Sequence, residues 1–228
     1  MEYAKHSAKP SLIQLCKTPG MLIAVGAILI IAATFGLWHF YHPEEKGTAL
    51  PDPQITVATS LPEPAEARPP ATARYDVPAD QPRSISLPSI GAEGYIQRVG
   101  LGKDNAVVAP TNVNFAGWYV AEGKPGDDGV SLIDGHVQGF TQPGIFKRLN
   151  ELKPGDTFSI EFGDHSRREF QVATIRNYSV EEAGKRMLEQ DPTIKQQLNL
   201  ITCTGAYDKA KQGYDQRLLV VSRRIQLL

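Results

Sequence analysis

Residues 157–178, TFSIEFGDHSRREFQVATIRNY, contain the pattern that decides the fold. Apolar and polar residues alternate along residues 157–162, and a second β-rich run, residues 170–178, follows the charged segment GDHSRRE. Alternation with a period of two indicates strands, and the short polar connection between the two runs predicts a β-hairpin. The chain from Ile85 onward is therefore expected to be a mostly β domain.

Further short β-rich runs, separated by turn residues, are residues 94–99, 130–133, 198–202 and 218–225. Two stretches have a helical pattern. Residues 145–152 offer one or two short amphipathic turns, and the other stretch is residues 180–190. The second of these follows Ser179, with Glu182 three residues later, which is the spacing of a capping box. Short strands at close spacing predict an antiparallel barrel or sandwich with small helices inserted.

Ahead of this domain, residues 21–38 (MLIAVGAILIIAATFGLW) form an uncharged apolar run of eighteen residues. A helix of about 20 apolar residues crosses the core of a bilayer. Lys5, Lys9 and Lys17 precede the run, so the positive-inside rule places the N-terminus in the cytoplasm. The sequence predicts a cytoplasmic segment over residues 1–19 and a transmembrane signal anchor over residues 20–42. The protein would then span the cell membrane once, with the β domain outside.

A cleaved signal peptide is the alternative for this run. Its apolar core is usually about 7–15 residues long and ends at a small-x-small site. The run here is longer, and bulky Phe35, Trp38 and Phe40 follow its pair of alanines. These features favour a retained anchor over cleavage.

Residues 43–84 are dense in proline and small polar residues and show no lasting helical or strand periodicity. Such a composition predicts an extended, disordered linker that holds residues 85–228 away from the membrane. The net charge of −1 offers no basic surface for nucleic acid. The two cysteines, Cys16 and Cys203, form no Cys-x-x-Cys zinc pattern, and the predicted bilayer lies between them.

Cys203 follows an apolar run in NLITCTG, near a predicted strand end. A buried, inert cysteine is the ordinary alternative, because a free cysteine packs as a small apolar side chain. A nucleophilic thiol needs a neighbouring base, and His136, in SLIDGHVQG, also lies at a predicted strand end. His165 lies in the charged hairpin segment, where a solvated surface position is expected. Arg217, at the start of the last apolar run, offers guanidinium donors for a developing oxyanion, or else forms a surface salt bridge.

Three motifs resemble those of the sortase family. Gly135-His136, then LITC ending at Cys203, then RLLV beginning at Arg217 follow the order of the histidine, cysteine and arginine motifs of sortases. The cysteine motif of that family is usually Thr-Leu-x-Thr-Cys, and Asn199 departs from it at the first place. Segments similar to those of housekeeping-like and small-class sortases, of D, E or F type, are GWY (117–119), GDDG (126–129), FKRL (146–149) and LKPGD (152–156).

The resemblance implies a closed antiparallel β-barrel of about eight strands and a cysteine transpeptidase, a peptidase and acyltransferase in one. Cys203 would attack an LPxTG-like C-terminal sorting signal of a secreted protein and form a thioester. His136 would act as general acid and base, and Arg217 would stabilise the oxyanion. Thr202 and Thr204, on either side of the cysteine, are candidates for substrate binding.

The acyl group would pass to an amine of the peptidoglycan or to a protein lysine. No cofactor is expected. Some sortases are stimulated by calcium held by loop carboxylates, but paired acids in turns and at helix starts are usually solvated. The acids that such an argument would use are Asp127, Asp128, Glu181 and Glu182.

The order and spacing of His136 and Cys203 argue against two other classes of cysteine enzyme. A papain-like enzyme has its cysteine before its histidine, and an L,D-transpeptidase has Ser-x-Gly-Cys shortly after its histidine. Here His136 precedes Cys203 by sixty-seven positions. A non-enzymatic, membrane-tethered β domain that binds a wall or surface partner is the remaining alternative, and in it Cys203 would be buried.

Overall fold

The computed structural model describes residues 56–57, 65–69, 75–102 and 105–225. The predicted cytoplasmic segment, the predicted membrane anchor and much of the predicted linker lie outside these residues. Along the part of the chain that is described, no helix has both the length and the apolar character needed to cross a bilayer.

Eight strands of the described chain close into a barrel, in the order β10-β8-β7-β2-β3-β5-β6-β9. These strands are β2 (Pro82–Leu87), β3 (Ala92–Val99), β5 (Ala116–Tyr119), β6 (Gly129–Gly135), β7 (Thr157–Phe162), β8 (Arg167–Ser179), β9 (Gln196–Asp208) and β10 (Gly213–Ile225). Two short strands, β1 (Thr56–Val57) and β4 (Ala106–Val107), form a separate parallel pair. The prediction of a closed, mostly β barrel of about eight strands is confirmed.

The prediction that the barrel is antiparallel is wrong at two places. Strand β3 pairs with β5 in parallel, and β6 pairs with β9 in parallel. Parallel neighbours need a long crossover, and the chain supplies one between each pair: residues 100–115 before β5, and β7, β8 and the following helix before β9. Apolar patterns within a strand carry no information on which distant strand lies beside it.

The hairpin that the sequence predicted from residues 157–178 is present as β7 and β8. Phe158 lies opposite Phe170, and their rings stack with centroids 5.5 Å apart. Strand β8 begins at Arg167, three residues earlier than its apolar run, because backbone pairing does not require apolar side chains. The guanidinium of Arg168 lies 4.1 Å from the centroid of the Phe162 ring, a cation–π contact.

One helix lies close to the predicted position and the other is much reduced. Helix α1 (Val180–Arg186) begins after Ser179, whose hydroxyl accepts a hydrogen bond from the Glu182 amide at 3.2 Å, and it ends before the predicted residue 190. Residues 145–152 contain only a 3₁₀ turn, Leu149–Glu151. The amides of Lys147 and Leu149 donate to carbonyls three residues back, those of Gly144 and Phe146, which is the spacing of a 3₁₀ turn and not of an α-helix.

Two apolar clusters lie on opposite faces of the strands. The inner cluster fills the barrel and includes Ile85, Leu87, Ile96, Phe158, Ile160, Phe162, Phe170, Leu198, Leu200, Leu218 and Val220. The outer cluster contains Val99, Val107, Tyr119, Leu132, Ala183, Met187, Ile201 and Leu219. Because Ala183 belongs to α1 and Met187 directly follows it, and a helix has no room inside this barrel, the outer cluster marks the face that α1 covers.

The described residues just before the barrel differ from the predicted extended linker. The hydroxyl of Tyr75 donates to the carbonyl of Ile96 at 2.9 Å, and its ring stacks on Tyr95 with centroids 4.7 Å apart. Strand β2 starts at Pro82, ahead of the predicted domain boundary at residue 85. The aromatic side chain of Tyr75 gives this stretch apolar surface to bury, which the proline-rich composition around it conceals.

Candidate active site

Strand register brings three predicted site residues to the same level of the barrel. Strands β6 and β9 are parallel neighbours, with Asp134 beside Ile201. Two residues further along the chain are His136, just beyond the end of β6, and Cys203, still within β9. Strand β10 runs antiparallel on the other side of β9 and places Arg217 directly opposite Cys203.

The three side chains share the outer face of the barrel. Leu132, Ile201 and Leu219 belong to the outer cluster, and side chains two residues apart on a strand point to the same side. The face that carries Ile201 therefore carries Cys203, and the face that carries Leu219 carries Arg217. His136 follows the end of β6 beside this face, so the three residues lie in a row at the end of the outer cluster.

Cys203 is not at the end of its own strand, as the sequence suggested. Strand β9 continues to Asp208, whereas its neighbour β6 ends at Gly135. The thiol is at a rim only because β6 stops beside it. The ladder between β9 and β10 becomes irregular just beyond, where Gly205 has a φ of 86°. Bulges of this kind are frequent next to active sites, where they redirect the chain.

His136 is held at both its ring and its backbone. The side chain is buried, with 7% of its surface exposed. Its Nε2 lies 2.7 Å from the carbonyl oxygen of Pro110. A carbonyl oxygen only accepts, so Nε2 carries a hydrogen, and Nδ1 is the nitrogen left to gain or lose a proton. The His136 carbonyl accepts from the amide of Phe146 at 2.9 Å.

Gly135 precedes this histidine because no side chain fits at its position. A Cβ there would lie 2.4 Å from the ring of Phe146, which is fully buried. The FKRL segment that the sequence singled out therefore packs its phenylalanine against the glycine of the Gly-His pair. Close contact between these two segments sets the end of β6.

Arg217 is almost fully buried, with 1% of its surface exposed. Its Nη1 donates to the backbone carbonyls of Tyr214 and Gln216, both at 2.9 Å. These bonds orient the guanidinium within the β9–β10 hairpin. This burial rules out an exposed salt bridge on the protein surface for Arg217.

Burial sets the protonation of the thiol. Desolvation raises the pKa of Cys203 from 9.0 to about 11, and the charge of Arg217 opposes this rise only in part. Asp134 also raises the pKa of the thiol. The free protein therefore holds Cys203 as a neutral thiol near neutral pH.

Asp134 is a site residue that was not assigned from the sequence. It is buried two residues before His136 on the regular strand β6, and its carboxylate accepts from the Gly135 amide at 2.7 Å. Burial raises the pKa of Asp134, while the charges of His136 and Arg217 act in the opposite direction. The signal available in the sequence was the spacing of two residues between Asp134 and His136. This spacing places the two side chains on one face only where the strand is regular.

Residues 85–225 match the family model of the Sortase domain. The chain belongs to the sortase family. No curated protein matches the chain. Sortases are cysteine transpeptidases, and they act on sorting signals and on amine acceptors of the cell wall or of proteins.

Solved sortases are similar to this chain in fold. Sortase A from Corynebacterium diphtheriae, a lid mutant, is 26% identical with a TM-score of 0.51, over 70% of this chain and 75% of that one. Sortase C1 from Streptococcus suis is 21% identical with a TM-score of 0.50, over 66% of this chain and 75% of that one. Sortase C-1 from Actinomyces oris is 24% identical with a TM-score of 0.48, over 64% of this chain and 73% of that one.

The two threonines beside the sortase thiol lie on the other side of the strand. Alternation along β9 points Thr202 and Thr204 away from the face of Cys203. Thr202 is buried, and its hydroxyl donates to the carbonyl of Gly135 at 2.6 Å. This bond joins the end of β6 to the middle of β9, where it holds His136 and Cys203 at one level. Thr204 lies opposite Gln216 and is half-buried.

The acids considered for calcium are separated and face basic side chains. Three ion pairs involve them: Asp127 with Arg168 at 2.8 Å, Asp128 with Lys195 at 2.9 Å, and Glu181 with Lys185 at 2.8 Å. Within the described ranges, no group of three or more histidine, cysteine or acidic side chains is arranged to hold a metal ion. His165 is exposed beside Glu161 at 3.3 Å, in the β7–β8 hairpin.

Proposed function

We propose that this sortase cleaves an LPxTG-like C-terminal sorting signal and transfers the new acyl end to an amine. The observation that carries the proposal is the row of His136, just beyond the end of β6, Cys203 on β9 and Arg217 on β10. A nucleophile, a proton carrier and an oxyanion donor are the three groups that acyl transfer requires.

In the acylation step, the sulfur of Cys203 attacks the scissile carbonyl, and its proton passes to Nδ1 of His136. The high pKa of the thiol supports transfer during the attack and not before it. Nδ1 then gives the proton to the leaving amine, the C–N bond breaks, and a thioester remains on Cys203. The tail of the sorting signal departs as a free amine.

Arg217 is proposed to stabilise the negative oxygen of the tetrahedral intermediate. Its guanidinium is desolvated and oriented by two carbonyls of its own hairpin, so little reorganisation is needed when the charge develops. The backbone amide after Cys203 is a second proposed donor. Charge stabilisation in a water-poor site is worth far more than the same contact in water.

In the second step, an incoming amine attacks the thioester. His136 Nδ1 takes a proton from that amine, and the thiolate of Cys203 leaves and is reprotonated. The acceptor is proposed to be a peptidoglycan amine or a protein lysine, and water would compete slowly. No cofactor enters these steps.

The proposed location is the outer surface of the cell membrane, with residues 20–42 as the anchor and the N-terminus in the cytoplasm. The support for this location is the uncharged run of eighteen residues and the lysines before it. An anchored enzyme would meet its secreted substrates as they leave the membrane.

The test is a transpeptidation assay of the full chain in detergent, with a panel of sorting-signal peptides and amine acceptors. We expect the wild type to form a covalent acyl adduct, seen by intact mass, and a transfer product. Cys203→Ala should form neither, and His136→Ala and Arg217→Ala should lose most turnover. Cys16→Ser is the matched control, because it removes the other thiol and should leave activity unchanged. An active Cys203→Ala protein would refute the mechanism, and an inactive wild type would favour a binding domain.

A further inference from the structure

A short segment ahead of the barrel joins two loops that both reach His136. We call residues 65–69 the strap. The first loop, residues 108–115, carries Pro110, whose carbonyl accepts from the His136 ring. The second, residues 137–144, follows His136 directly. The strap was expected to be part of a free linker.

The backbone of the strap binds the first loop along its length. The amide of Ala65 donates to the carbonyl of Thr111 at 2.7 Å, and the Ala65 carbonyl accepts from the amide of Val113 at 3.0 Å. The side chain of Asn112 donates to the carbonyl of Ala67 at 2.9 Å. These bonds tie the strap to the residues that directly follow Pro110.

Glu66 reaches the second loop. Its carboxylate accepts from the amide of Thr141 at 2.8 Å and from the hydroxyl of the same residue. Its backbone carbonyl accepts from the side chains of Gln142 and of Asn114, the latter at 3.1 Å. Gly139 lies so close that a Cβ there would be 2.3 Å from the Glu66 carboxylate. One residue thus contacts both loops.

Both loops determine where the His136 ring can lie. The first supplies the acceptor for Nε2, and the second continues from the backbone of His136 itself. Within the second loop, the amide of Gly144 donates to the carbonyl of Val137 at 3.2 Å, which folds the loop back onto the strand end. If either loop shifts relative to the other, the Nε2 bond is strained or broken, and Nδ1 moves relative to the thiol.

We infer that Glu66 is a positioning residue for His136, which acts by joining the Pro110 loop to the loop after the histidine. The inference rests on the proposed function, in which Nδ1 exchanges protons with Cys203 and the amines. Glu66 itself touches no reacting atom. The hydrogen bonds from Thr141 lower the pKa of Glu66, in agreement with a carboxylate that is bound in its charged form.

The experiment compares steady-state transfer by the full chain in detergent for wild type, Glu66→Ala and Glu66→Gln. A misplaced proton carrier lowers turnover, so kcat of Glu66→Ala should fall by about 10- to 100-fold while KM for the sorting peptide stays within about twofold. Glu66→Gln keeps an oxygen that accepts from the Thr141 amide, so it should recover most of the turnover. Assays are run where the circular dichroism spectra of all variants coincide.

Glu151→Ala is the matched control. Glu151 is also a surface carboxylate that binds a nearby donor, the Arg148 guanidinium at 2.6 Å, but its partner belongs to neither loop. It should keep wild-type kcat, since exposed ion pairs contribute little. If Glu66→Ala does not fold, Thr141→Val removes one donor to the same carboxylate, and a smaller fall in kcat is expected.

Wild-type kcat in Glu66→Ala would overturn the inference. So would a raised KM with unchanged kcat, because the strap would then shape a substrate groove and not place His136. A wild-type chain without transfer, or an active His136→Ala, would refute the proposed function itself and is distinguishable from either result.

Discussion

The protonation of Cys203 offers a direct test of how the barrel sets up its nucleophile. Burial raises the pKa of this thiol from 9.0 to about 11. At pH 8 about one molecule in a thousand should then carry a thiolate, against about one in ten for a thiol at the ordinary value. Because the thiolate is the form that reacts, alkylation of the folded protein should be about 100-fold slower than that of the unfolded chain.

The assay measures the rate of iodoacetamide modification by intact mass, in the full chain with Cys16→Ser, so that Cys203 is the remaining thiol. The rate should rise about tenfold for each pH unit from about pH 7 to 10. Arg217→Leu removes the charge that lowers the pKa of the thiol, so it should slow alkylation further at each pH. The unfolded chain in guanidinium is the reference.

The stability of the folded protein must be measured over the same pH range as the alkylation rate. A pKa that is higher in the folded than in the unfolded state means that the folded thiol holds its proton more tightly. Its contribution to stability is complete below about pH 9 and is lost as the pH rises towards about 11. Circular dichroism at each pH identifies the range in which the protein is still folded.

The reasoning fails if alkylation of the folded protein is half-maximal at or below about pH 9, because the thiol would then be unperturbed or activated. It also fails if the folded thiol stays unmodified at about pH 10, where a tenth should be ionised. In that case Cys203 would be closed to a small reagent, and the alternative of an inert buried cysteine would stand.

Two further substitutions test how the end of β6 is held against Phe146 and against β9. Gly135→Ala places a methyl group 2.4 Å from the Phe146 ring and should destabilise the fold by about 1–3 kcal/mol, as measured by denaturant unfolding, with transfer activity also reduced. A protein of unchanged stability would show that the Phe146 ring has room to move. Thr202→Val leaves the buried carbonyl of Gly135 without its 2.6 Å donor, so about 1–3 kcal/mol of unfolding free energy should be lost. Thr202→Ser keeps the hydroxyl and is its control; equal loss in both variants would assign the effect to packing.

Much of the fold could be predicted from local pattern. The strand alternation in residues 157–162 matches β7 residue for residue, and Ser179 caps α1 as its spacing with Glu182 indicates. The histidine, cysteine and arginine were identified from short motifs in the right order. Such features depend on neighbours within a few positions, which a single sequence displays.

Features that depend on distant partners were predicted poorly. The parallel pairing of β6 with β9 joins residues more than sixty positions apart, and no local pattern specifies it. Residues 145–152 have a helical pattern, yet they form only a 3₁₀ turn, with the ring of Phe146 packed against the distant Gly135. The strap looked like part of a flexible spacer, because its composition is polar and its binding uses mainly backbone groups and one carboxylate.

The sequence by itself determined that this is a mostly β domain, and it predicted a nucleophilic role for Cys203 with His136 and Arg217 as its partners. Only the tertiary structure decided that the three share one face, since β9 must lie between β6 and β10 for their ends to meet. It also decided the state of the thiol. The pKa of Cys203 is set by the desolvation and charges that surround it, and those come from residues brought together by folding, such as Asp134 and Arg217.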